Sequence, residues 1–263
     1  MIRTIIKPFS RVLLPLFIVV TISNFLFSQS LIIYKSGGLQ DSVDIGQTDS
    51  ILVTPFQCGI NTIRYSGIIY HTVQIGSQCW LKENLNVGTR INGSSEQTDN
   101  GIIDKYCYND DPANCTTYGG LYEWAEIVQY QNGATNYTFP NPAYSGNVKG
   151  ICPTGWHIPT NAEFVTLSST VSNDGNALKA IGQGTGAGAG TNTSGFSALL
   201  GGFRHYNGTF TQFGAAGSFW RLEGFETNAN YADSYFLYNV NNTFPLGTNY
   251  KEYGFSVRCI KDF

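Results

Sequence analysis

Charged residues are scarce in this chain of 263 residues. They make up 13% of it, about half the share found in ordinary soluble domains. Residues 1–28 hold three of the 15 basic residues and no acidic one, which leaves 12 Lys and Arg against 18 Asp and Glu, a net charge of −6. Without a basic patch, neither nucleic acid nor an anionic membrane is an expected partner. The neutral, hydrogen-bonding surface suits binding to polymers or to neighbouring proteins.

Several catalytic and metal-binding motifs are also absent. No two cysteines have the C-x-x-C spacing of zinc ribbons and thioredoxin-type redox sites, and no Gly-x-Ser-x-Gly elbow is present. His71, His157 and His205 have no ligand-type partner at helical spacing and are interpreted as structural or surface residues. The glycine-rich run 182–190 lacks the Lys-Ser/Thr pair of a phosphate loop, so we expect a flexible surface loop. We predict no enzyme activity and no cofactor.

The first 28 residues have the pattern of a secretory signal peptide. Three basic residues precede an apolar run, Val12 to Ile22, and Ser28 supplies a small residue at the expected cut. The alternative, a membrane span, needs about 20 mostly apolar residues, and Pro15 and Asn24 interrupt this run. A lipid anchor would need a cysteine at the cut, and the first is Cys58. We therefore predict export, with cleavage after Ser28 and no transmembrane span in the mature chain.

The six cysteines are an even number in a chain that we expect to be exported, which favours disulfides over metal ligation. Six cysteines allow 15 pairings. We predict the nested and local set: Cys58 with Cys79, Cys107 with Cys115, and Cys152 with Cys259. The last of these would close a loop of roughly 100 residues and contribute about 4 to 5 kcal/mol in the chain-entropy model.

The segment around residue 160 predicts a helix. Thr160 and Glu163 have the spacing of a capping box, and Phe164, Leu167 and Val171 follow at i, i+3 and i+7 as an apolar stripe. A long disulfide from this region to the last strand would tie the helix entry to the C-terminus.

The last strand and its neighbours predict antiparallel sheet. Phe255, Val257 and Cys259 share one parity and should face inward, whereas Ser256 and Arg258 should face outward. Hairpins are expected at 66–67 and 207–208, the second with a type I′ turn because Asn-Gly tolerates positive φ.

Helices are expected at three places. Besides the helix after Thr160, apolar residues at helical spacing indicate one in 120–130, and a short turn containing Ala177, Leu178 and Ile181 should end at Gly182. The polar segment 86–118 is predicted to be a loop. Two or three short helices followed by strands indicate an α+β fold, with the helices packed on antiparallel sheet.

Four separated motifs resemble a known family. They are TVQIGSQCWLKENLNVGT, YGGLYEWAE, ICPTGWHIPTNAEF and GFSVRCIKD, and in this order they resemble the Fibrobacter succinogenes major paralogous domain. That family is distantly similar to C-type-lectin-like folds, in which a long disulfide joins the first helix region to the last strand. The resemblance implies an exported bacterial surface or secreted domain and brings no established activity. It covers residues 56–263 and predicts a disulfide-stapled C-type-lectin-like domain there. The leader at 1–28 is followed by residues 29–55, which we interpret as a linker or N-terminal arm; their apolar runs could equally add edge strands to the domain.

One polar cluster has oxygen ligands of the kind that calcium prefers. Its members are Asn109, Asp110, Asp111 and Asn114. The spacing differs from a D-x-D-x-D-G loop, and turn chemistry is the favoured explanation. Sugar-binding C-type lectins typically carry Glu-Pro-Asn or Gln-Pro-Asp together with Trp-Asn-Asp, and none of these tripeptides is present.

An aromatic stretch near the C-terminus is the remaining functional candidate. The predicted ligand face consists of Trp220, Arg221, Glu223, Glu226, Tyr231 and Tyr235, because rings can stack on sugars or pack on a partner. Packing in the core is the alternative for any one of them. We expect a secreted or cell-surface binding or adhesion module for a glycan or a surface protein. The alternatives are a structural component of an extracellular assembly, and an enzyme on a formylglycine-generating fold, whose chemistry uses a free cysteine.

Overall fold

A computed structural model describes residues 30–35, 38–44, 55–224 and 227–262. The chain divides into two units, residues 1–55 and 56–263. In the first unit, β1 (Ser30–Lys35) pairs antiparallel with β2 (Gly38–Asp44). The predicted leader and its cut after Ser28 lie outside the described residues. No helix in the described ranges is long and apolar enough to cross a membrane.

The second unit is built mostly of short strands. These are β3 (Ile63–Tyr65), β4 (Ile68–Tyr70), β5 (Thr72–Ile75), β6 (Gln78–Leu81), β7 (Thr89–Arg90), β8 (Asp104–Lys105), β9 (Trp156–His157), β10 (Phe203–Arg204), β11 (Phe210–Thr211), β12 (Ala216–Gly224), β13 (Tyr231–Tyr238), β14 (Leu246–Tyr250) and β15 (Ile260–Lys261). The helices are α1 (Pro112–Tyr118), α2 (Trp124–Ile127), α3 (Asn161–Thr170) and α4 (Gly175–Leu178). The α+β prediction is confirmed at this level, with sheets that are antiparallel apart from the β7–β8 pair.

Two sheets organise the unit. The first has the strand order β5-β6-β15-β9, so its C-terminal strand lies between strands from the beginning and middle of the chain. Ile260 pairs with Trp80 on one side and with His157 on the other. The second sheet is a meander, β12-β13-β14. Its outer strand β14 is therefore an edge.

The core consists of two apolar clusters that meet at β12. Trp220 belongs to the first cluster, with Trp124 and Phe255, whereas its neighbour Phe219 belongs to the second, with Phe164. Because successive side chains of a strand point to opposite faces, β12 is buried on both sides along most of its length.

Three disulfides join distant parts of the unit. They are Cys58–Cys79, Cys107–Cys115 and Cys152–Cys259, the three pairs predicted from the sequence. All six cysteines of the chain are used. The longest connects residues 107 positions apart in sequence, and both of its cysteines are fully buried in the first core cluster.

The capping box before α3 is present as predicted. The Thr160 hydroxyl accepts from the Glu163 amide at 3.3 Å, and Glu163 accepts from the Thr160 amide at 2.8 Å. Phe164 and Leu167 are buried, and Val171, at the C-terminal cap, packs on the same cluster.

A second helix start was missed in 86–118, which we predicted to be a loop. Asp111 caps α1 by accepting from the Ala113 amide at 2.9 Å, and Pro112 occupies the first turn. The Asp-Pro pair is a recognised helix-start signal, so the sequence contained the information.

The two predicted hairpins have different turns. Ser66 and Gly67 both have positive φ, 49° and 81°, which gives the type I′ turn between β3 and β4. At 205–208, only Gly208 has positive φ, 88°, and its amide donates to the His205 carbonyl at 2.9 Å. The prediction of a type I′ turn there is wrong, because a longer loop places Gly208 after the turn rather than inside it.

The predicted outward face of the last strand is buried. Ser256 is 5% and Arg258 1% exposed, so the prediction that they face solvent is wrong. The segment passes through the molecule rather than along its surface. The Arg258 guanidinium lies 4.2 Å from the Phe196 ring centroid and donates to Asn84 Oδ1 at 2.7 Å.

The glycine-rich run 182–190 lies at the surface, as predicted, and is anchored by hydrogen bonds. The Thr185 amide donates to the Asn239 carbonyl at 2.8 Å, and buried Lys179 donates to the Gly188 carbonyl. A Cβ at Gly188 would lie 2.2 Å from the Asn239 oxygen, so close backbone approach explains the glycine. The helical turn before it ends at Leu178, and Ile181, predicted to belong to it, is 79% exposed.

Candidate functional site

The predicted ligand face does not form one surface. Trp220 is fully buried and donates its indole N–H to the Tyr122 carbonyl at 2.7 Å. Tyr235 is 6% exposed, and its ring stacks on Phe164 at 4.7 Å. Placing these two residues on a ligand face is therefore wrong, because the strands that carry them have core on both sides. Glu226 lies outside the described residues.

Of the charged members of that predicted face, Glu223 bonds to the start of α3 and Arg221 forms a buried ion pair. Both carboxylate oxygens of Glu223 accept from the Asn161 amide, at 3.0 and 2.9 Å, where a helix N-terminus favours negative charge. Arg221 is buried and pairs with Asp233. Tyr231 and Glu223 retain partial exposure.

The Asp/Asn cluster is occupied by local hydrogen bonds. Asp110 Oδ1 accepts from the Gly93 amide at 2.7 Å, Asp111 caps α1, and the Asn114 side chain donates to the Tyr108 carbonyl at 2.9 Å. Asn109 and Asp110 have φ of 55° and 56°. Across the described residues, no group of three or more His, Cys, Asp or Glu side chains is arranged to hold a metal ion.

Two of the three histidines are engaged with acids. His71 lies on the surface, 2.8 Å from Glu83. His157 is buried, with one ring nitrogen 2.7 Å from Glu163 and the other 2.6 Å from Asp262. Burial opposes its protonation, yet these two carboxylates raise the pKa of His157 above its usual value. It links the capping box of α3 to the C-terminal segment.

The third histidine belongs to a surface group of aromatic rings that the sequence analysis did not identify. We name it the tyrosine cluster; its members are His205, Tyr206, Tyr231, Tyr250 and Tyr253. Tyr206 is 46% and Tyr250 36% exposed, and the other three are half-buried.

The rings of the tyrosine cluster are in mutual contact. The centroids of His205 and Tyr206 are 4.2 Å apart, and those of Tyr206 and Tyr250 are 5.3 Å apart. Tyr231 stacks on Tyr250 at 4.4 Å with an interplanar angle of 28°, and Tyr253 lies 4.8 Å from His205. A nearly continuous π surface with phenolic hydroxyls therefore reaches solvent.

Turn geometry and sheet register fix the positions of these rings. The 205–208 turn projects Tyr206 from the β10–β11 hairpin, and Asn207 Oδ1 accepts from the Thr209 amide at 3.1 Å. Tyr231 and Tyr250 are directly opposed across β13 and β14, as cross-strand aromatic pairs often are. The cluster is therefore preorganised.

A buried ion pair between Arg204 and Glu123 anchors the β10–β11 hairpin. The Arg204 backbone exchanges hydrogen bonds with Gly254 at 3.1 and 2.9 Å. Its guanidinium lies 3.2 Å from Glu123, which also accepts from Tyr106 and Asn136, both at 2.6 Å. This anchors the loop that carries Tyr206.

Two buried acids have raised pKa values without forming an accessible catalytic site. Burial raises the pKa of Glu123 and of Glu126 to about 7. Both are 0% exposed, and Glu126 accepts from the Asp104 amide and the Tyr130 hydroxyl, both at 3.1 Å. A general acid or base must reach its substrate, and these carboxyls are saturated by internal donors.

Two depressions lie elsewhere on the surface. One, of about 530 Å³, is lined by polar side chains near the C-terminal end of α3, including Gln74, Thr170 and Ser172. The other, of about 430 Å³, lies beside Tyr118 and reaches the buried Arg258.

The sequence contained a weak signal for the tyrosine cluster. Tyr206 precedes an Asn-Gly turn, and Tyr250 and Tyr253 flank a charged pair near the C-terminus. Aromatic side chains in polar turn segments often carry function. Their convergence, however, depends on the bridge between Arg204 and Gly254, which brings the 205–208 turn to the segment after β14 and which no local pattern specifies.

Comparison with known proteins gives one match. The family model described as the Fibrobacter succinogenes major domain matches residues 73–261. No curated protein and no solved structure matches the chain.

Proposed function

Since the chain belongs to the Fibrobacter succinogenes major domain family, whose members have no named activity to transfer, we propose from its surface that it is an exported binding module. Its ligand is a glycan or a surface protein, and the binding site is the tyrosine cluster. The exposed, preorganised stack of rings is the observation that carries this proposal.

Export is supported by the leader pattern of residues 1–28 and by the disulfides. Six cysteines, all paired, are expected in an oxidising compartment and not in the cytosol. We assign the mature protein to the secreted fraction or the outer surface of a bacterial cell.

A distant C-type-lectin-like relation is part of the same proposal. The Cys152–Cys259 disulfide joins the entry of α3 to the segment before β15, as the long disulfide of those folds joins the first helix region to the last strand. The tyrosine cluster provides sugar contact by rings in place of the calcium-ligating tripeptides, which the sequence lacks.

The chemistry of the cluster suits an uncharged ligand. Stacked rings bind apolar sugar faces or the side chains of a partner, while the hydroxyls offer hydrogen bonds. Lys251, the buried cation that follows Tyr250 in the chain, donates to the Thr135 and Thr138 carbonyls at 3.2 and 3.1 Å and lies 4.0 Å from the Trp124 ring centroid. It is directed inward and does not supply positive charge to the ligand surface.

The proposed role is non-enzymatic. The chemistry of a formylglycine-generating enzyme uses a free cysteine, and each cysteine here is half of a disulfide. The acids with raised pKa values are internal and saturated.

A glycan array tests the proposal. The oxidised chain without its leader, residues 29–263, is applied with calcium and again with a chelator, together with the variants Tyr206→Ala and Tyr250→Ala. We expect selective binding that survives the chelator and falls at least tenfold in each variant.

Phe213→Ala is the matched control. Phe213 is also 46% exposed and contacts other rings, Tyr108 and Tyr118, away from the tyrosine cluster. Equal loss in Phe213→Ala, or binding that both tyrosine variants retain, would refute the site. Loss with the chelator would instead implicate the Asp/Asn cluster.

A further inference from the structure

The outer strand of the meander has an open backbone edge. Lys251 N donates to the Asn230 carbonyl at 2.9 Å, and Phe236 N donates to the Pro245 carbonyl at 3.1 Å. Bonded and non-bonded pairs alternate along an antiparallel ladder. With the observed register, Gly247 and Asn249 therefore direct their backbone groups toward β13.

The backbone N–H and C=O groups of the intervening residues of β14 point away from β13. These residues are Leu246, Thr248 and Tyr250. The Tyr250 carbonyl accepts from the Tyr253 amide at 3.1 Å. Among the described residues, no partner is found for the N–H and C=O of Leu246 and Thr248 or for the N–H of Tyr250.

This edge carries none of the usual protection against pairing. Natural edge strands are commonly blocked by charged residues, proline or a bulge. The sequence of β14, LGTNY, contains no charged residue and no proline. Its pairing with β13 has no register shift that would indicate a bulge. Leu246 is 47% exposed and Tyr250 36%.

We propose that β14 pairs with β14 of a second copy of this chain. An antiparallel pair centred on Thr248 places the two Thr248 residues opposite each other, and Leu246 opposite Tyr250 of the partner subunit. The strand is thus complementary to itself, with uncharged aliphatic–aromatic pairs across the new ladder and a two-fold axis through its centre. Two three-stranded meanders become one six-stranded sheet.

The pairing has a functional consequence that rests on the proposed binding role. An antiparallel edge pair has its two-fold axis perpendicular to the sheet, so residues on one face remain on one face. Tyr250 and its opposed partner Tyr231 would appear twice on the same side of the dimer. Two adjacent binding sites would gain avidity for a repeating polymer.

The dimer is expected to be weak. A five-residue edge forms a few hydrogen bonds and a small interface, which corresponds to a dissociation constant of about 10 µM to 1 mM. Sedimentation equilibrium of the oxidised chain, from about 10 µM to about 1 mM, measures it without any ligand.

Substitutions at Thr248 locate the interface. Thr248→Lys places two like charges at the two-fold axis and should weaken the dimer at least tenfold. Thr248→Val is the matched control, since it also loses the hydroxyl bond to Asp233, at 2.6 Å, yet leaves the edge neutral and should keep the dimer. Thr248→Pro removes only an outward N–H, which edge strands tolerate, and should also give monomer; circular dichroism verifies that each variant is folded.

The outcomes are distinct from those of the glycan array. A wild-type chain that is monomeric at about 1 mM overturns the inference, including the case in which N-terminal residues of the same chain cover the edge. A dimer that persists in Thr248→Lys overturns it too, because another surface would then be responsible. Neither result bears on sugar binding by the monomer.

Discussion

Individual buried charges are held mostly by neutral groups. Lys179 donates to the Tyr238 and Asn241 carbonyls at 2.7 and 2.8 Å, Lys251 lies against Trp124, and Arg258 lies against Phe196. None of the three has a carboxylate partner among the described residues. Burial lowers the pKa of Lys251 to about 8 and of Arg258 to about 9. A chain with few charges thus uses several of them as internal hydrogen-bond donors that join loops.

The titration of Glu126 makes the free energy of unfolding depend on pH. Burial raises its pKa from 4.5 to about 7 in the folded state, so the folded chain binds more protons than the unfolded one in that range. This contribution is complete below about pH 4.5 and is lost as the pH rises to about 7. Because Glu123 titrates in the same range, we expect Glu126→Gln to remove about half of the fall in unfolding free energy between pH 5 and 7.

Urea unfolding at several pH values measures this slope, the change of unfolding free energy with pH. Glu252→Gln is the control, since the side chain of Glu252 lies at the surface, bonded to Tyr137, and should leave the slope unchanged. A Glu126→Gln profile parallel to that of the wild type would show that Glu126 is ionised throughout.

Among the elements, α3 was predicted best because its signals are local. Its capping box and apolar spacing lie within 12 residues, Thr160 to Val171. Strands were predicted less well. The segment 196–200, FSALL, is rich in apolar residues yet forms a single bridge, Lys179 with Ala198, since strand formation requires a partner that a single segment does not specify.

The capping box is expected to stabilise α3 measurably. Thr160→Ala removes the acceptor for the Glu163 amide and should lower the unfolding free energy by about 1 kcal/mol. Thr160→Ser keeps the hydroxyl and should cost much less. Thr166→Ala, on the exposed face of the same helix, should change stability by less than about 0.5 kcal/mol. Chemical denaturation compares the four proteins; equal stability of Thr160→Ala and wild type would exclude a stabilising cap.

For the whole molecule, the three disulfides restrain loops of very different length. Cys152–Cys259 spans 107 positions and Cys107–Cys115 spans eight. In the chain-entropy model these closures contribute about 4.7 and about 2.5 kcal/mol. The long one also connects the entry of α3 to the strand that completes the first sheet.

Removing each disulfide tests this difference. The double variant Cys152→Ala/Cys259→Ala should lose about 4 to 5 kcal/mol of unfolding free energy, against about 2 to 3 kcal/mol for Cys107→Ala/Cys115→Ala. The comparison is well matched because all four cysteines are buried. Thermal and urea unfolding of both variants measures the costs, and a larger cost for the short loop would contradict loop closure as the dominant effect.

Part of this molecule follows from its sequence alone. The disulfide pairs, the α3 cap, the hairpin at Ser66-Gly67 and the family were all predicted from it. Each depends on cysteine number, on residues close in sequence, or on several motifs in a fixed order. Such information is present in the chain before it folds.

Other features were decided only by tertiary structure. Alternation placed Arg258 outside, and aromatic character assigned Trp220 to a ligand face, but both are buried because their segments have packed layers on either side. Tyr206 and Tyr250 are 44 positions apart, and they meet because Arg204 pairs with Gly254, just after β14. Side-chain pattern specifies which face of a strand is apolar; only the arrangement of all the strands decides whether the other face meets solvent.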